Sequence, residues 1–187
     1  MERRKAGDGD AGEAGDDRRP RGTARDDRRP RGTARDRALR LLTVRARSRR
    51  EIEDRLLWAG FDPSEVADAL DGLEGAGLID DRRLAQAVVE HAVTVRLAGR
   101  RSVLGTLRSR RVAPELAEEL LDGATSAEDE ERRARELAAR RAGQLRGLPP
   151  EVAFRRLAAF LARRGYPPGL AREAAARALR VGPPDGG

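Results

Sequence analysis

One short pattern occurs three times in this chain and constrains its fold more than any other feature. Each copy closes a helical turn with a leucine, continues to a large apolar residue and reaches a proline two residues later (residues 56–66, 107–116 and 161–170). Gly60 and Gly165 suit the left-handed position that ends a helix, and proline suits the first turn of the next helix. The apolar residues Phe61, Val112 and Tyr166 are 51 and 54 residues apart. This spacing predicts a repeated helical module.

We predict an all-α fold of three tandem three-helix modules in an elongated, curved array. The modules cover residues 37–77, 78–124 and 125–181, and residues 182–187 form a tail. Apolar residues recur at helical spacing throughout, and no alternating runs flank an Asn-Gly or Asp-Gly turn. Because a module of about 50 residues buries little apolar surface, we expect neighbouring modules to share packing.

Several helix starts can be predicted from short polar motifs. Ser48 with Glu51 and Thr125 with Glu128 have the spacing of capping boxes. Either residue of the Asp80–Asp81 pair is suited to the N-cap of the following helix. Two adjacent carboxylates could also suggest a metal site or acid–base chemistry. However, neighbouring side chains at a helix start do not face each other, so we favour capping.

Two single residues have both a functional and a structural interpretation. Trp58, the only tryptophan, could be a platform on which a base stacks, but we favour a half-buried wedge between helices. His91, the only histidine, follows the apolar positions Leu84 and Val88 at helical spacing. We therefore predict that His91 is a packed core residue and not a ligand.

Residues 1–36 are predicted to be a disordered arm. They include the decapeptide DDRRPRGTAR twice in succession, and Met1 is their only large apolar residue. Such a segment cannot offset an ordering entropy of roughly 1–2 kcal/mol per residue. Its 11 basic and 9 acidic residues nearly balance. The arm could assist in binding a nucleic acid, but we favour a neutral extension.

The composition argues against several classes of function. Without cysteine, and with one histidine, no metal site is expected. The chain lacks a glycine-rich phosphate loop, a dinucleotide fingerprint and a nucleophile elbow, so we predict no cofactor and no enzymatic activity. It has neither an apolar run of about 20 residues nor a signal-peptide core, so a cytoplasmic monomer without membrane contact is expected.

One arginine-rich stretch is the candidate binding site. The chain carries a net charge of +7, which favours a polyanionic partner. No acidic residue lies between Glu90 and Glu115, whereas arginines elsewhere alternate with carboxylates. Guanidinium groups bind phosphate and carboxylate alike, so DNA and an acidic protein both remain possible partners. The candidate residues are Arg96, Arg100, Arg101, Arg108, Arg110 and Arg111.

Three longer segments resemble the RecX family of recombinase regulators. They read ALRLLTVRARSRREIEDRLLWAGFDPSEVADALDGLEGAGLIDDRRLA, AGRRSVLGTLRSRRVAPELAEELL and RLAAFLARRGYPPGLAREAAARAL. The resemblance extends over residues 37–179, in order. Its most specific parts are the opening ALRLLTVRARSRREI, the junction GLIDDRRLA and the final RRGY turn.

The resemblance implies a non-enzymatic modulator that binds the RecA filament on single-stranded DNA and chiefly inhibits it. ATP would then belong to the partner. In two places the sequence departs from the family pattern: Arg111 replaces a common glycine, and Leu84 replaces a common aromatic residue. The alternative is a tandem helical protein that binds single- or double-stranded DNA directly, similar to Myb or homeodomain repeats. The acidic Glu118 and Glu119 on the third helix of module two argue against a recognition helix.

Overall fold

The computed structural model describes residues 31–180, and this part of the chain is helical without any strand. The all-α prediction is therefore confirmed. The predictions for residues 1–30 of the arm and for the tail fall outside the described residues. The helices are α1 (Ala34–Val44), α2 (Arg49–Trp58), α3 (Pro63–Gly75), α4 (Asp81–Glu90), α5 (Arg100–Ser109), α6 (Pro114–Ala124), α7 (Ala127–Ala142), α8 (Pro150–Arg163) and α9 (Pro168–Leu179).

Three hydrophobic cores divide these helices into consecutive groups of three. The first core joins α1–α3 around Ile52 and Leu70, and the second joins α4–α6 around Leu107 and Leu121. The third joins α7–α9 around Leu157. This grouping agrees with the predicted three-helix modules. Helix α1 begins at Ala34, three residues before the predicted start of the first module.

Local polar motifs determine where several of the helices begin. Ser48 and Glu51 form the predicted capping box, and Asp80 accepts a hydrogen bond from the backbone of Arg83 as the N-cap of α4. The predicted box of Thr125 with Glu128 is wrong by one residue, because Ser126 caps α7 together with Asp129. Thr125 instead ends α6 in an extended conformation.

The structure corrects the predictions for Trp58 and His91. Helix α2 buries the face that carries Ile52 and Leu56, and Trp58 lies on the opposite side with 91% of its surface exposed. Two residues turn a helix by about 200°, so Trp58 cannot share the face of Leu56. After α4 the chain widens into a π-helix at His91–Val95, and the buried residue here is Ala92, whereas His91 is exposed.

A left-handed residue ends the second helix of every module. Gly60 and Gly165 have φ angles of 90° and 92°, as predicted, and Arg111 occupies the same position with a φ of 57°. For arginine this conformation costs on the order of 1 kcal/mol. The three turns that contain these residues place each second helix next to the third helix of its module.

Candidate polyanion-binding face

Modules two and three are joined by backbone contacts between the start of α5 and the turn after α8. The N–H of Gly99 donates to the Arg164 carbonyl at 2.9 Å, and the N–H of Arg101 donates to the Gly165 carbonyl at 3.3 Å. A Cβ atom on Gly99 would lie 2.5 Å from the Gly165 carbonyl carbon, so glycine is required at this contact. The junction therefore holds α5 and α8 in a fixed arrangement.

Tyr166, which is buried in the third core, stabilises the same junction by a hydrogen bond. Its hydroxyl donates to the Leu97 carbonyl at 2.7 Å, and burial raises the pKa of Tyr166 to about 12. Leu97 itself belongs to the third core although it precedes α5 in the chain. The segment that carries the predicted arginines is thus anchored in its neighbouring module.

Arg100, the first of the predicted site residues on α5, is bound within its own module. Its guanidinium donates to the Asp122 carboxylate at 2.6 Å and also contacts Glu118, both on α6. The hydrogen bond that the Arg100 guanidinium donates to Asp122 is the main reason that the pKa of Arg100 is raised. Although the sequence around Arg100 lacks acidic residues, carboxylates from another helix neutralise its charge.

Arg110 and Arg111 are engaged at the junction between modules one and two. The Arg110 guanidinium donates to the Ala46 carbonyl at 2.7 Å, and its Nε lies 3.5 Å from the Glu51 carboxylate. The Nε of Arg111 lies 3.2 Å from the Asp54 carboxylate. These two arginines therefore join α5 to α2.

The remaining predicted residues, Arg96, Arg101 and Arg108, are exposed. Within residues 31–180 none of their side chains forms an ion pair with a carboxylate. Half of the predicted set is thus available to an external anion, and the other half has partners inside the protein.

A cleft between modules two and three adds arginines that the sequence analysis missed. The cleft has a volume of about 700 Å³ and is lined by α4, the π-helix, α5 and the end of α8. Arg96 and Arg110 line it from module two, whereas Arg163 and Arg164 line it from module three. No carboxylate lines this cleft.

A second cavity of about 360 Å³ shares Arg163 with the first in its lining, and no carboxylate lines it. The ring of Phe160 contacts two guanidinium groups, with its centroid 5.2 Å from the Cζ atom of Arg141 and 5.4 Å from that of Arg164. Such cation–π contacts help to hold the two charges in place. The arginine face, as we name the lining of both cavities, comprises Arg96, Arg110, Arg141, Arg155, Arg156, Arg163 and Arg164.

The sequence around α8 contains a similar arginine-rich stretch with few acidic residues. Between Glu136 and Glu173 the only acidic residue is Glu151, and the same segment contains eight arginines. What the sequence could not reveal is that Arg163 and Arg164 of this segment line one cleft with Arg96 and Arg110. That proximity results from the Gly99–Gly165 contact.

Residues 31–180 contain no cluster of histidine, aspartate and glutamate side chains that could hold a metal ion. No helix in this part of the chain is both long and apolar enough to span a membrane.

Comparison with known proteins agrees with this architecture. Residues 34–73 match the first three-helix domain of RecX, and residues 128–175 match its third three-helix domain. The regulatory protein RecX of Amycolatopsis mediterranei is 39% identical over 131 residues, which cover 70% of this chain and 74% of that protein. The regulatory protein RecX of Thermobifida fusca is 41% identical over 134 residues and covers 71% of each chain.

Solved structures of RecX share the fold. The crystal structure of RecX from Lactobacillus salivarius aligns with a TM-score of 0.65 over 79% of this chain and 96% of that chain, at 18% identity. A second RecX crystal structure aligns with a TM-score of 0.64 over 75% of this chain and 70% of that chain, at 22% identity. Together, the two domain matches and the identity to full-length relatives show that the chain belongs to the RecX family.

Proposed function

We propose that this protein regulates DNA recombination and repair in the cytoplasm by binding the RecA filament on single-stranded DNA and chiefly inhibiting the recombinase. The observation that carries the proposal is a carboxylate-free arginine face across two rigidly joined modules of a RecX-family chain. A filament on DNA presents a long anionic surface, and guanidinium groups pair with its phosphates and with protein carboxylates.

The predicted site residues have two different roles in this proposal. Arg96, Arg101 and Arg108 are exposed and contact the filament or its DNA. Arg110 and Arg111 are bound to carboxylates on α2 and hold modules one and two together, whereas Arg100 is bound to carboxylates on α6 and holds α5 in place within module two. The second group acts on binding through the arrangement of the first.

The mechanism is steric and electrostatic, and the protein itself performs no catalysis. A monomer whose modules contact neighbouring recombinase subunits obstructs the filament groove or favours disassembly. The ATP that is hydrolysed belongs to the recombinase, and the proposed role requires no cofactor in this chain. The recombinase then hydrolyses less ATP because its filament is bound, and not because this protein consumes ATP.

Direct binding to DNA is the alternative function, and α6 argues against its usual form. A helix that enters the major groove contacts phosphates on both sides, whereas α6 carries Glu118, Glu119 and Asp122 on its exposed surface. The arginine face could still bind a DNA backbone without reading its sequence. The experiment below therefore measures binding to bare DNA as well.

The test is ATP hydrolysis by the cognate RecA on single-stranded DNA, titrated with this protein at near-physiological salt. Binding to the same DNA without recombinase is measured in parallel. Inhibition well below the concentration that binds bare DNA is the expected result. Inhibition only after bare DNA is saturated would favour the alternative, and no inhibition at all would refute the proposed function.

A charge-matched pair of variants tests the arginine face. Replacing Arg155, Arg156 and Arg163 with alanine removes three charges from the face. We expect the protein concentration needed for half-maximal inhibition to rise at least about tenfold, which corresponds to a loss of about 1.4 kcal/mol in binding free energy. The control replaces Arg132, Arg135 and Arg140, which are exposed and paired with carboxylates of α7. Equal losses in both variants would mean that net charge alone matters.

A further inference from the structure

The three turns that end α2, α5 and α8 have the same hydrogen bonds. We name residues 59–61, 110–112 and 164–166 the first, second and third corner turns. In each turn the N–H of the apolar corner residue donates to the carbonyl of a leucine five residues earlier. These leucines, Leu56, Leu107 and Leu161, are completely buried. The three corner turns are thus equivalent surfaces of the repeated module.

Two of the three corner turns bind the start of a helix from the preceding module. The second corner turn accepts a hydrogen bond from the Ser48 hydroxyl, the N-cap of α2, at 2.6 Å from the Arg110 carbonyl oxygen. The third accepts backbone N–H groups at the start of α5, whose N-cap is Gly99. A corner turn is therefore a docking surface for a helix N-terminus, and the chain uses it twice.

The first corner turn has no such partner within residues 31–180. No hydrogen bond from these residues reaches the carbonyl of Ala59 or Gly60, and Gly60 is exposed. Next to it, Trp58 is 91% exposed and Leu57 is 39% exposed. Large exposed aromatic residues are enriched in protein interfaces, and here one lies directly beside a corner turn that has no partner among residues 31–180.

The residue in the left-handed position indicates which kind of helix fits. In the third corner turn a Cβ atom on Gly165 would lie 2.3 Å from the backbone nitrogen of Ser102, so the docked helix approaches very closely. The second corner turn has Arg111 in the left-handed position, and the helix docked on it, α2, has serine (Ser48) and not glycine at its N-cap. Because the first corner turn has Gly60, it matches the close type, which takes a glycine N-cap.

A second copy of this chain cannot supply that helix in the same way. Helices α2 and α5 are already docked, and α8 is the remaining second helix of a module. Pro149 is its N-cap and Pro150 its first residue, so the backbone N–H that Gly99 donates has no counterpart there. None of the three second helices of another copy is therefore able to dock as α5 does.

We propose that the first corner turn is a docking site for a partner protein, bound through the N-terminus of a helix with glycine at its N-cap. The backbone N–H groups of this helix donate to the carbonyls of Ala59 and Gly60, and the Trp58 ring packs along its side. This site is separate from the arginine face and lies at the opposite end of the array from α8 and α9. Its role does not depend on the proposed inhibition of RecA.

The test uses a helical probe taken from the docking element that the chain already contains. The probe is the peptide of residues 96–109, with both ends blocked and a lactam bridge between Gly105→Lys and Ser109→Asp to hold it helical. It is titrated into the isotope-labelled full chain and followed by NMR. We expect the amide signals of residues 57–61 and the indole signal of Trp58, the only tryptophan, to shift together.

Two matched changes separate docking from charge attraction. A control peptide with Gly99→Leu has the same charge but cannot approach the turn. We expect its dissociation constant to be at least about tenfold higher. The protein variant Gly60→Asn keeps a residue that tolerates the left-handed conformation while adding a side chain at the contact, so it should lose binding similarly. Circular dichroism verifies that this variant remains folded.

Several results would overturn the proposal. These are an absence of shifts at residues 57–61 with millimolar probe, or equal shifts with the Gly99→Leu peptide. Nuclear Overhauser contacts between residues 1–30 and Trp58 in the unliganded chain would mean that the protein covers the site itself. Concentration-dependent self-association that Gly60→Asn abolishes would identify a second copy as the occupant.

Discussion

Replacing Gly99 with alanine should lower the free energy of unfolding, although the backbone conformation of Gly99 suits alanine. Gly99 has a φ of −77° and a ψ of 159°, which alanine adopts without strain. The cost must therefore come from the contact with the third corner turn, where the added Cβ atom would lie 2.5 Å from the Gly165 carbonyl carbon. Two backbone segments collide here, and neither has a flexible side chain that could move away.

The magnitude follows from the contacts that must separate. Forcing one extra carbon into a close contact costs about 1–3 kcal/mol. If the junction opens instead, the hydrogen bonds of Gly99 and Arg101 to residues 164 and 165 are lost, at about 0.5–1.5 kcal/mol each. By either route we expect Gly99→Ala to lower the free energy of unfolding by about 1–3 kcal/mol.

The assay is urea unfolding followed by circular dichroism, with Gly105→Ala as the control. Gly105 lies in the same helix and has no atom within 4 Å of its potential Cβ. Alanine in an exposed helix interior stabilises by about 0.5–1 kcal/mol relative to glycine, so the two variants should change stability in opposite directions. If both variants were equally stabilised, the rigid junction inferred from the structure would be wrong.

Three further predictions concern single side chains. Tyr166→Phe leaves the buried Leu97 carbonyl without its donor and should cost about 1–3 kcal/mol of stability, measured by thermal unfolding; an unchanged midpoint would contradict the role of the hydroxyl. Arg111→Gly removes a left-handed arginine and should stabilise the chain by up to about 1 kcal/mol in urea unfolding; a loss of stability would contradict the strain assigned to this position. Burial by itself would raise the pKa of Glu51, but hydrogen bonds and charges, chiefly from Arg45, lower it overall. A carboxylate with a lowered pKa stabilises the fold above its unfolded value near 4.5 and loses this contribution as the pH falls through the folded value. Stability should thus fall more steeply below this value than in Glu51→Gln, and parallel pH profiles would refute the assignment.

Local chemistry explains which parts of the fold could be predicted from the sequence. The box of Ser48 with Glu51 and the left-handed glycines require only neighbours within one or two turns, so their patterns were sufficient. Trp58 was misplaced because a hydrophobic residue two positions beyond Leu56 lies on the opposite face. His91 was misplaced because the buried face runs through Ala85, Val89 and Ala92, and His91 lies about 100° away from Ala92 around the helix.

The candidate site was harder to predict because charge neutralisation acts between helices. Arg100 lies in a run without acidic residues, yet it pairs with Glu118 and Asp122, which follow 18 and 22 residues later. Likewise, Arg163 reaches the cleft of module two only because the third corner turn docks on α5. Charge patterns along a sequence identify the basic segments but not the distant residues that neutralise or extend them.

The position of Leu97 has a mechanical consequence. This residue lies in the chain segment of module two but is buried in the core of module three, so the two modules cannot separate without opening that core. In the same way, Ile79 precedes α4 but is buried in the first core, and Ser48 and Asp54 of module one contact the second corner turn. We therefore expect both junctions to resist bending, so that the three modules keep a constant arrangement. A protein built in this way presents its arginines in a constant register along a bound surface.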